Sequence, residues 1–169
     1  AASDVYKRQV GVCRHDAHMT SWGEFESAEP EFAALVRRVL DRSVGKILAT
    51  VRADGSPRVS GIELAFDGGE LTFGSMPRAR KGADLRRDPR FALHSAPAEQ
   101  TGDPPGMGEG DVKLAGLAVP VGALDGEAEG DGFRVDLREV TWTGLNDARD
   151  RLVVRWWRPG EGMRRIERE

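Results

Sequence analysis

Residues 46–96 read KILATVRADGSPRVSGIELAFDGGELTFGSMPRARKGADLRRDPRFALHSA, and the spacing of apolar and turn residues in this stretch decides the fold. Ile47, Ala49 and Val51 alternate with Leu48 and Thr50, a period of two that predicts a strand. Asp54-Gly55 follows as a hairpin signal, because glycine adopts the positive φ that a two-residue turn needs. A second strand is predicted over 58–66, with Arg58, Ser60, Ile62 and Leu64 on one face and Val59, Gly61, Glu63 and Ala65 on the other. Asp67-Gly68-Gly69 turns the chain into a third strand at Leu71, Thr72 and Phe73. Gly74-Ser75-Met76-Pro77-Arg78-Ala79-Arg80-Lys81 then opens a basic helix, and a fourth strand carrying His94 ends the stretch. Small residues and cations at a strand-to-helix junction suit a phosphate, which takes backbone N–H groups, a helix N-terminus and cations together. Arg80 and Lys81 stand where positive charge opposes the helix macrodipole, so an anionic partner is expected there.

Upstream, Phe32, Leu35, Val36, Val39 and Leu40 recur at helical spacing, with Ser27 or Glu29 near the start and Pro30 in the first turn. This helix is expected to cover the sheet and to end at Gly45. Downstream, 97–110 is rich in Pro and Gly and is predicted to be a loop. A fifth strand is predicted over 111–124, an acidic Gly-rich connection over 125–131, and a sixth strand over 133–140 with Phe133, Val135 and Leu137 on one face. A closing hairpin pairs 151–157 with 163–168 around Pro159-Gly160-Glu161-Gly162. The sum is a mostly β chain, a small β-barrel with flanking helices.

Composition narrows the function classes. The 169 residues predict one domain over 19–169, with a core large enough to fold alone. Net charge is −3, from 25 Lys and Arg against 28 Asp and Glu, and the aromatics do not interleave with the basic run, so nucleic-acid binding is not expected. No apolar run approaches the roughly 18 residues of a membrane helix, so no membrane partner is expected. The single cysteine, Cys13, and the lack of an apolar leader fit a cytoplasmic chain. Residues 1–18 lack apolar periodicity and are read as a non-native or disordered leader, with Met19 as a natural start. Cys13, His15, Asp16 and His18 match no paired zinc spacing, so no metal site is assigned.

The order ATVRADGSPRVSG, LTFGSM, ARK and LRRDPRFAL resembles the pyridoxamine 5'-phosphate oxidase-like proteins, which bind FMN in a split β-barrel. The likeness runs from the helix near Phe32 to the last strand near Ile166. It implies a homodimer with FMN between two protomers and a flavin-dependent oxidoreductase that moves a hydride to or from a small molecule. By the same resemblance, Arg58, Arg80 and Lys81 hold the flavin phosphate. Val59, Ser60 and Gly61 run beside the flavin, and Phe73, Gly74 and Ser75 touch its ribityl-phosphate region. Trp142-Thr143-Gly144 and Asp150-Arg151 resemble a Trp-x-Gly and Asp-Arg pair whose Trp and Arg reach the cofactor of the second subunit.

The residues themselves leave alternatives. Arg58 reads as a phosphate ligand or as a solvated hairpin charge, and Lys113 as a cofactor contact or a surface lysine. Arg86 and Arg87 suit a solvated helix face. Trp22, Trp156 and Trp157 suit packing or a dimer interface, and His94 a core or rim position. The oxidases proper place a Lys for the substrate phosphate where Glu63 stands, and their Arg-x-His pair has no counterpart between Leu145 and Arg149. The vitamin-pathway oxidase itself is therefore not expected. Two further readings stand: use of the deazaflavin coenzyme F-420, whose longer anionic tail needs additional cations such as Arg78, Arg86 or Arg87, and a non-catalytic flavin- or haem-binding protein. No general acid is assignable; Ser60, Glu63 and Ser75 are near by position only, and the catalytic residues are unknown.

Overall fold

A computed structural model describes residues 18–96, 108–122 and 130–168. Three helices and eight strands follow in the order α1 (Trp22–Ala28), α2 (Pro30–Asp41), β1 (Gly45–Val51), β2 (Pro57–Asp67), β3 (Glu70–Ser75), α3 (Arg80–Arg87), β4 (Arg90–His94), β5 (Asp111–Gly122), β6 (Asp131–Leu145), β7 (Leu152–Arg158) and β8 (Gly162–Arg168). All strand pairs are antiparallel. The strands run β3-β2-β1-β4-β5-β6-β7-β8, and β3 also pairs with β6, so the first six of that order close into a barrel. β6 makes this possible by its length. Its first residues, 131–134, pair with β3, while 140–145 pair with β7. The terminal β7–β8 hairpin thus leaves the barrel wall on an extension of the same strand.

The two Asp-Gly turns form as the sequence predicts. Gly55 sits at φ 84°, and the Asp54 carboxylate accepts from the Ser56 N–H at 2.9 Å and from its hydroxyl at 2.6 Å. Gly68 and Gly69 also take positive φ, and the Gly69 carbonyl accepts from Gly23 N–H at 2.7 Å, which ties that turn to α1.

The barrel interior is an apolar cluster. Phe73 stacks on Phe133 across the β3–β6 seam with centroids 5.5 Å apart and meets Phe91 edge-on at 5.9 Å. A second aromatic group lies under the helices: Phe25 touches Trp22, Phe32 and Trp157 with centroids 4.8–5.7 Å apart. Trp22 and Trp157 are therefore packing residues, both buried, while Trp156 is partly exposed.

Several boundaries differ from expectation. A short helix, α1, precedes the predicted one, and Ser27 lies inside it. It is fixed by a capping box, in which Glu24 N–H donates to the Ser21 hydroxyl and Ser21 N–H donates to the Glu24 carboxylate. Gly45 does not end α2; that helix stops at Asp41, and Gly45 is the first residue of β1. β5 is described through Gly122, and the predicted end at Leu124 lies outside the described residues. β6 covers 131–145 instead of 133–140, because a bulge opposite Ala115 and Gly116 leaves Arg138 unpaired. That extra residue moves the buried face from Phe133, Val135 and Leu137 to Val140, Trp142 and Gly144. Residues 97–107 of the loop predicted over 97–110, residues 125–129 of the connection predicted over 125–131 and residues 1–17 of the leader lie outside the described residues. His18 is exposed and bonds Glu24.

Candidate functional site

A cleft of about 700 Å³ opens where β2, β3 and the start of α3 meet. Gly61, Ile62, Glu63, Leu64 and Ala65 of β2 form one wall, and Phe73, Gly74 and Ser75 of β3 with Met76 form another. Lys81 comes in from α3, Asp131 from the start of β6, and Gly45 and Gly130 complete the rim. This size lies within the range of roughly 300–1,000 Å³ typical of small-ligand pockets, and the lining is apolar with a few charges.

Lys81 is the cation of the cleft. Its ammonium donates to the Gly61 carbonyl at 2.8 Å, and its partial burial pushes its pKa below that of an ordinary lysine. A partly buried ammonium bonded to a neutral carbonyl suits an anion. The helix that carries it adds to this. Ala79 caps α3 without a side-chain hydrogen bond, and no acidic residue lies in the first turn. Asp131, a carboxylate of the cleft lining, comes from β6 and is paired with Arg86. It packs so closely on α3 that a Cβ at Gly82 would fall 2.4 Å from Asp131 Oδ2.

Arg58 is neither solvated nor in the cleft lining. Its side chain is 16% exposed, and its Nε donates to Asp84 Oδ2 at 2.6 Å. Arg86 and Arg87, expected on a solvated face, are engaged as well: Arg86 with Asp131, and Arg87 with the Val51 carbonyl at 2.6 Å and Asp84 at 3.2 Å.

Of the residues singled out from the sequence, the cleft brings together Gly61, Phe73, Gly74, Ser75 and Lys81. The remaining ones stand elsewhere in the protomer. Val59 is 69% exposed on the outer face of β2, Ser60 is half-buried, and Arg80 is exposed beside Lys81. Lys113 is exposed on β5 opposite His94, which is half-buried with Nδ1 2.6 Å from the Ser95 carbonyl. Arg151 is exposed at the start of the closing hairpin. Trp142 is buried; its Nε1 donates to the Glu109 carbonyl at 2.8 Å, and the Arg155 guanidinium lies 5.3 Å from its ring centre. Gly144 leaves room for this indole, since a Cβ there would come within 2.2 Å of Trp142 Cζ2. Gly144→Ala is expected to destabilise the fold by about 1–3 kcal/mol, because the indole has no space to retreat; denaturant unfolding measures it.

Sequence reading missed Asp84, Asp131 and Thr50. For Asp84 the signal was present: it precedes the apolar Leu85 and follows Lys81 by three residues, which puts it on the inward side of an amphipathic helix. Among the described residues no cluster of His, Cys, Asp or Glu could hold a metal, and no helix is long and apolar enough to cross a membrane. Cys13, His15 and Asp16 lie outside the described residues.

The family model described as pyridoxamine 5'-phosphate oxidase matches residues 29–136, from the N-cap of α2 into β6. The chain therefore belongs to the pyridoxamine 5'-phosphate oxidase-like family of FMN-binding split barrels. Solved structures agree on the fold. A pyridoxamine 5'-phosphate oxidase-related, FMN-binding protein from Nostoc punctiforme PCC 73102 aligns with TM-score 0.59 at 10% identity, over 83% of this chain and 95% of that one. PhzG from Burkholderia lata 383, solved with tetrahydrophenazine-1-carboxylic acid, aligns with TM-score 0.58 at 14% identity, over 86% and 91%. A heme-binding protein from Mycobacterium smegmatis aligns with TM-score 0.51 at 14% identity, over 79% and 86%. A search among curated proteins finds no match.

Proposed function

We propose that the cleft holds FMN by its phosphate and that the protein is a flavin-dependent oxidoreductase acting on a small molecule. The observation that carries this reading is Lys81: a partly buried ammonium near a helix start without a side-chain cap, lining a cleft formed with residues of β2 and β3. The residues fit the group. Lys81 and the N–H groups that open α3 suit a phosphate, Arg58 lies outside the cleft lining at the start of β2, the strand that forms one wall, and Gly61 and Gly74 let backbone approach a flat ring. FMN, when bound, supplies hydride transfer, and the protein supplies binding, orientation and exclusion of water. No side chain here is assigned as a proton donor.

Glu63 lines the same cleft. A carboxylate there repels a substrate phosphate dianion, so the substrate is a molecule other than pyridoxamine phosphate. The reading includes a homodimer. Cross-strand register places Val59, Ala49, Ala92 and Ala115 in one row across β2, β1, β4 and β5, and Gly61, Ile47, His94 and Lys113 in the next. Ile47 is 40% exposed, and the first row is wholly apolar, as a face meant for a second copy would be. Val59 and Lys113 lie in these rows, so their part in the site rests on the partner subunit. The deazaflavin reading is less well supported, because Arg86 and Arg87, two of the cations it calls on, are already paired with Asp131 and Asp84.

The test is ligand identification on protein purified without added cofactor. Denaturation should release FMN, detected by mass and absorbance, and reductant should bleach the spectrum of the intact protein. Release of a deazaflavin or haem, or a bound flavin that no reductant bleaches, would replace this reading.

A further inference from the structure

We propose that Asp84 is a positioning residue that presents the Arg58 guanidinium to the phosphate; this rests on the FMN reading above. The geometry is that of a carboxylate built into the fold from three sides. Asp84 is buried on α3, with its side chain 5% exposed. It accepts from Thr50 Oγ1 of β1 at 3.0 Å, from Arg58 Nε of β2 at 2.6 Å and from Arg87 Nη2 of its own helix at 3.2 Å. Arg87 is itself anchored on the Val51 carbonyl at 2.6 Å. Burial alone would raise the Asp84 pKa, but the hydrogen bonds from Arg58, Arg87 and Thr50 and the Arg58 charge hold it below the ordinary carboxylate value. Asp84 is therefore an anion at neutral pH.

Its position next to an anion site needs a reason, since a lone carboxylate would weaken phosphate binding. Two features supply it. Asp84 is flanked by two guanidinium groups, so the cluster keeps one net positive charge. Among the described residues, Arg58 donates through Nε alone, which fixes the plane of its fork and leaves both Nη groups for another acceptor. A guanidinium fixed at Nε can meet a phosphate oxygen pair without first losing rotamer freedom. The arrangement also links Arg58 to the helix that carries Lys81, so the two cations share one rigid support. A carboxylate that merely tied α3 to the barrel would leave the binding of phosphorylated and unphosphorylated ligands equally affected.

That difference is the test. Ligand-free full-length protein is titrated with FMN and with riboflavin, which has the same ring and no phosphate, while unfolding is followed in parallel. Asp84→Asn, close to isosteric, is expected to lower FMN affinity about tenfold and to leave riboflavin affinity unchanged. Thr50→Val, which removes one anchor of Asp84, is expected to give a loss of about threefold with the same selectivity and serves if Asp84→Asn folds poorly. Adding Asp84→Asn to Arg58→Ala should cost nothing more than Arg58→Ala alone. Parallel losses for FMN and riboflavin, or no loss of FMN affinity, would overturn the proposal and leave Asp84 a structural tie. An Arg58→Ala protein that keeps its preference for FMN would overturn it too, while leaving the FMN site standing on Lys81. If the unaltered protein shows no preference for FMN over riboflavin, the underlying reading fails, and this proposal with it.

Discussion

Lys81→Glu is expected to weaken FMN binding at least about 100-fold, because it removes a charge-assisted hydrogen bond and sets a carboxylate against a phosphate. Arg80→Glu, one residue earlier, should change affinity by no more than about threefold. Its side chain is exposed outside the cleft lining, where solvent and salt screen it. The contrast separates a specific contact from a general preference of the basic segment for anions. The Lys81 contribution also has a pH signature. Burial holds its pKa below the ordinary value of about 10.4, and a bound phosphate favours the charged form and raises that pKa. The phosphate-dependent part of affinity is therefore complete below the free-state pKa and is lost as pH rises through the pKa of the complex. Titrations of FMN against riboflavin across the alkaline range measure it.

Phe73→Ala is expected to destabilise the protein by about 3–5 kcal/mol. The ring is buried at the one seam that closes the barrel, stacked on Phe133 and met edge-on by Phe91. Its loss leaves a cavity between β3 and β6, and only four register positions hold those strands together. Phe73 belongs to the strand that forms one wall of the cleft, so the variant should weaken FMN and riboflavin binding alike through loss of the fold, which distinguishes it from Lys81→Glu. Phe73→Leu, which retains most of the volume, should cost about 1.5 kcal/mol or less. Denaturant midpoints with and without ligand check both variants.

How far the sequence reaches can be judged from these residues. Strands β1 to β3 and their turns were legible because Asp54-Gly55 and Asp67-Gly68-Gly69 are local signals, needing only the positive φ of glycine. Lys81 was legible because the conflict between its charge and the helix dipole is also local. The β3–β6 closure was not: pairing between strands some sixty residues apart leaves no mark on either one alone. The reach of β6 was hidden for a related reason. The bulge at Arg138 breaks its period of two, so Phe133 to Leu137 and Val140 to Gly144 read as separate patterns. Helix α1 is too short for periodicity to show, although Ser21 and Glu24 carry its capping signature. Arg58 was identified without its partner, since nothing in the spacing of Arg58 and Asp84 brings a strand residue to a helix residue 26 positions away. Within the protomer the Trp142 indole fills the space left by Gly144 and donates to Glu109, contacts that the spacing of these residues does not announce.

Whether the cleft between β2, β3 and α3 is a phosphate-anchored flavin site is decided by calorimetric titration of the ligand-free protein with FMN and then with riboflavin. Saturable binding of both is expected, with FMN tighter by about 100-fold or more if Lys81 and Arg58 each make a charge-assisted contact to its phosphate. Equal affinities, or no binding of either, would contradict such a site.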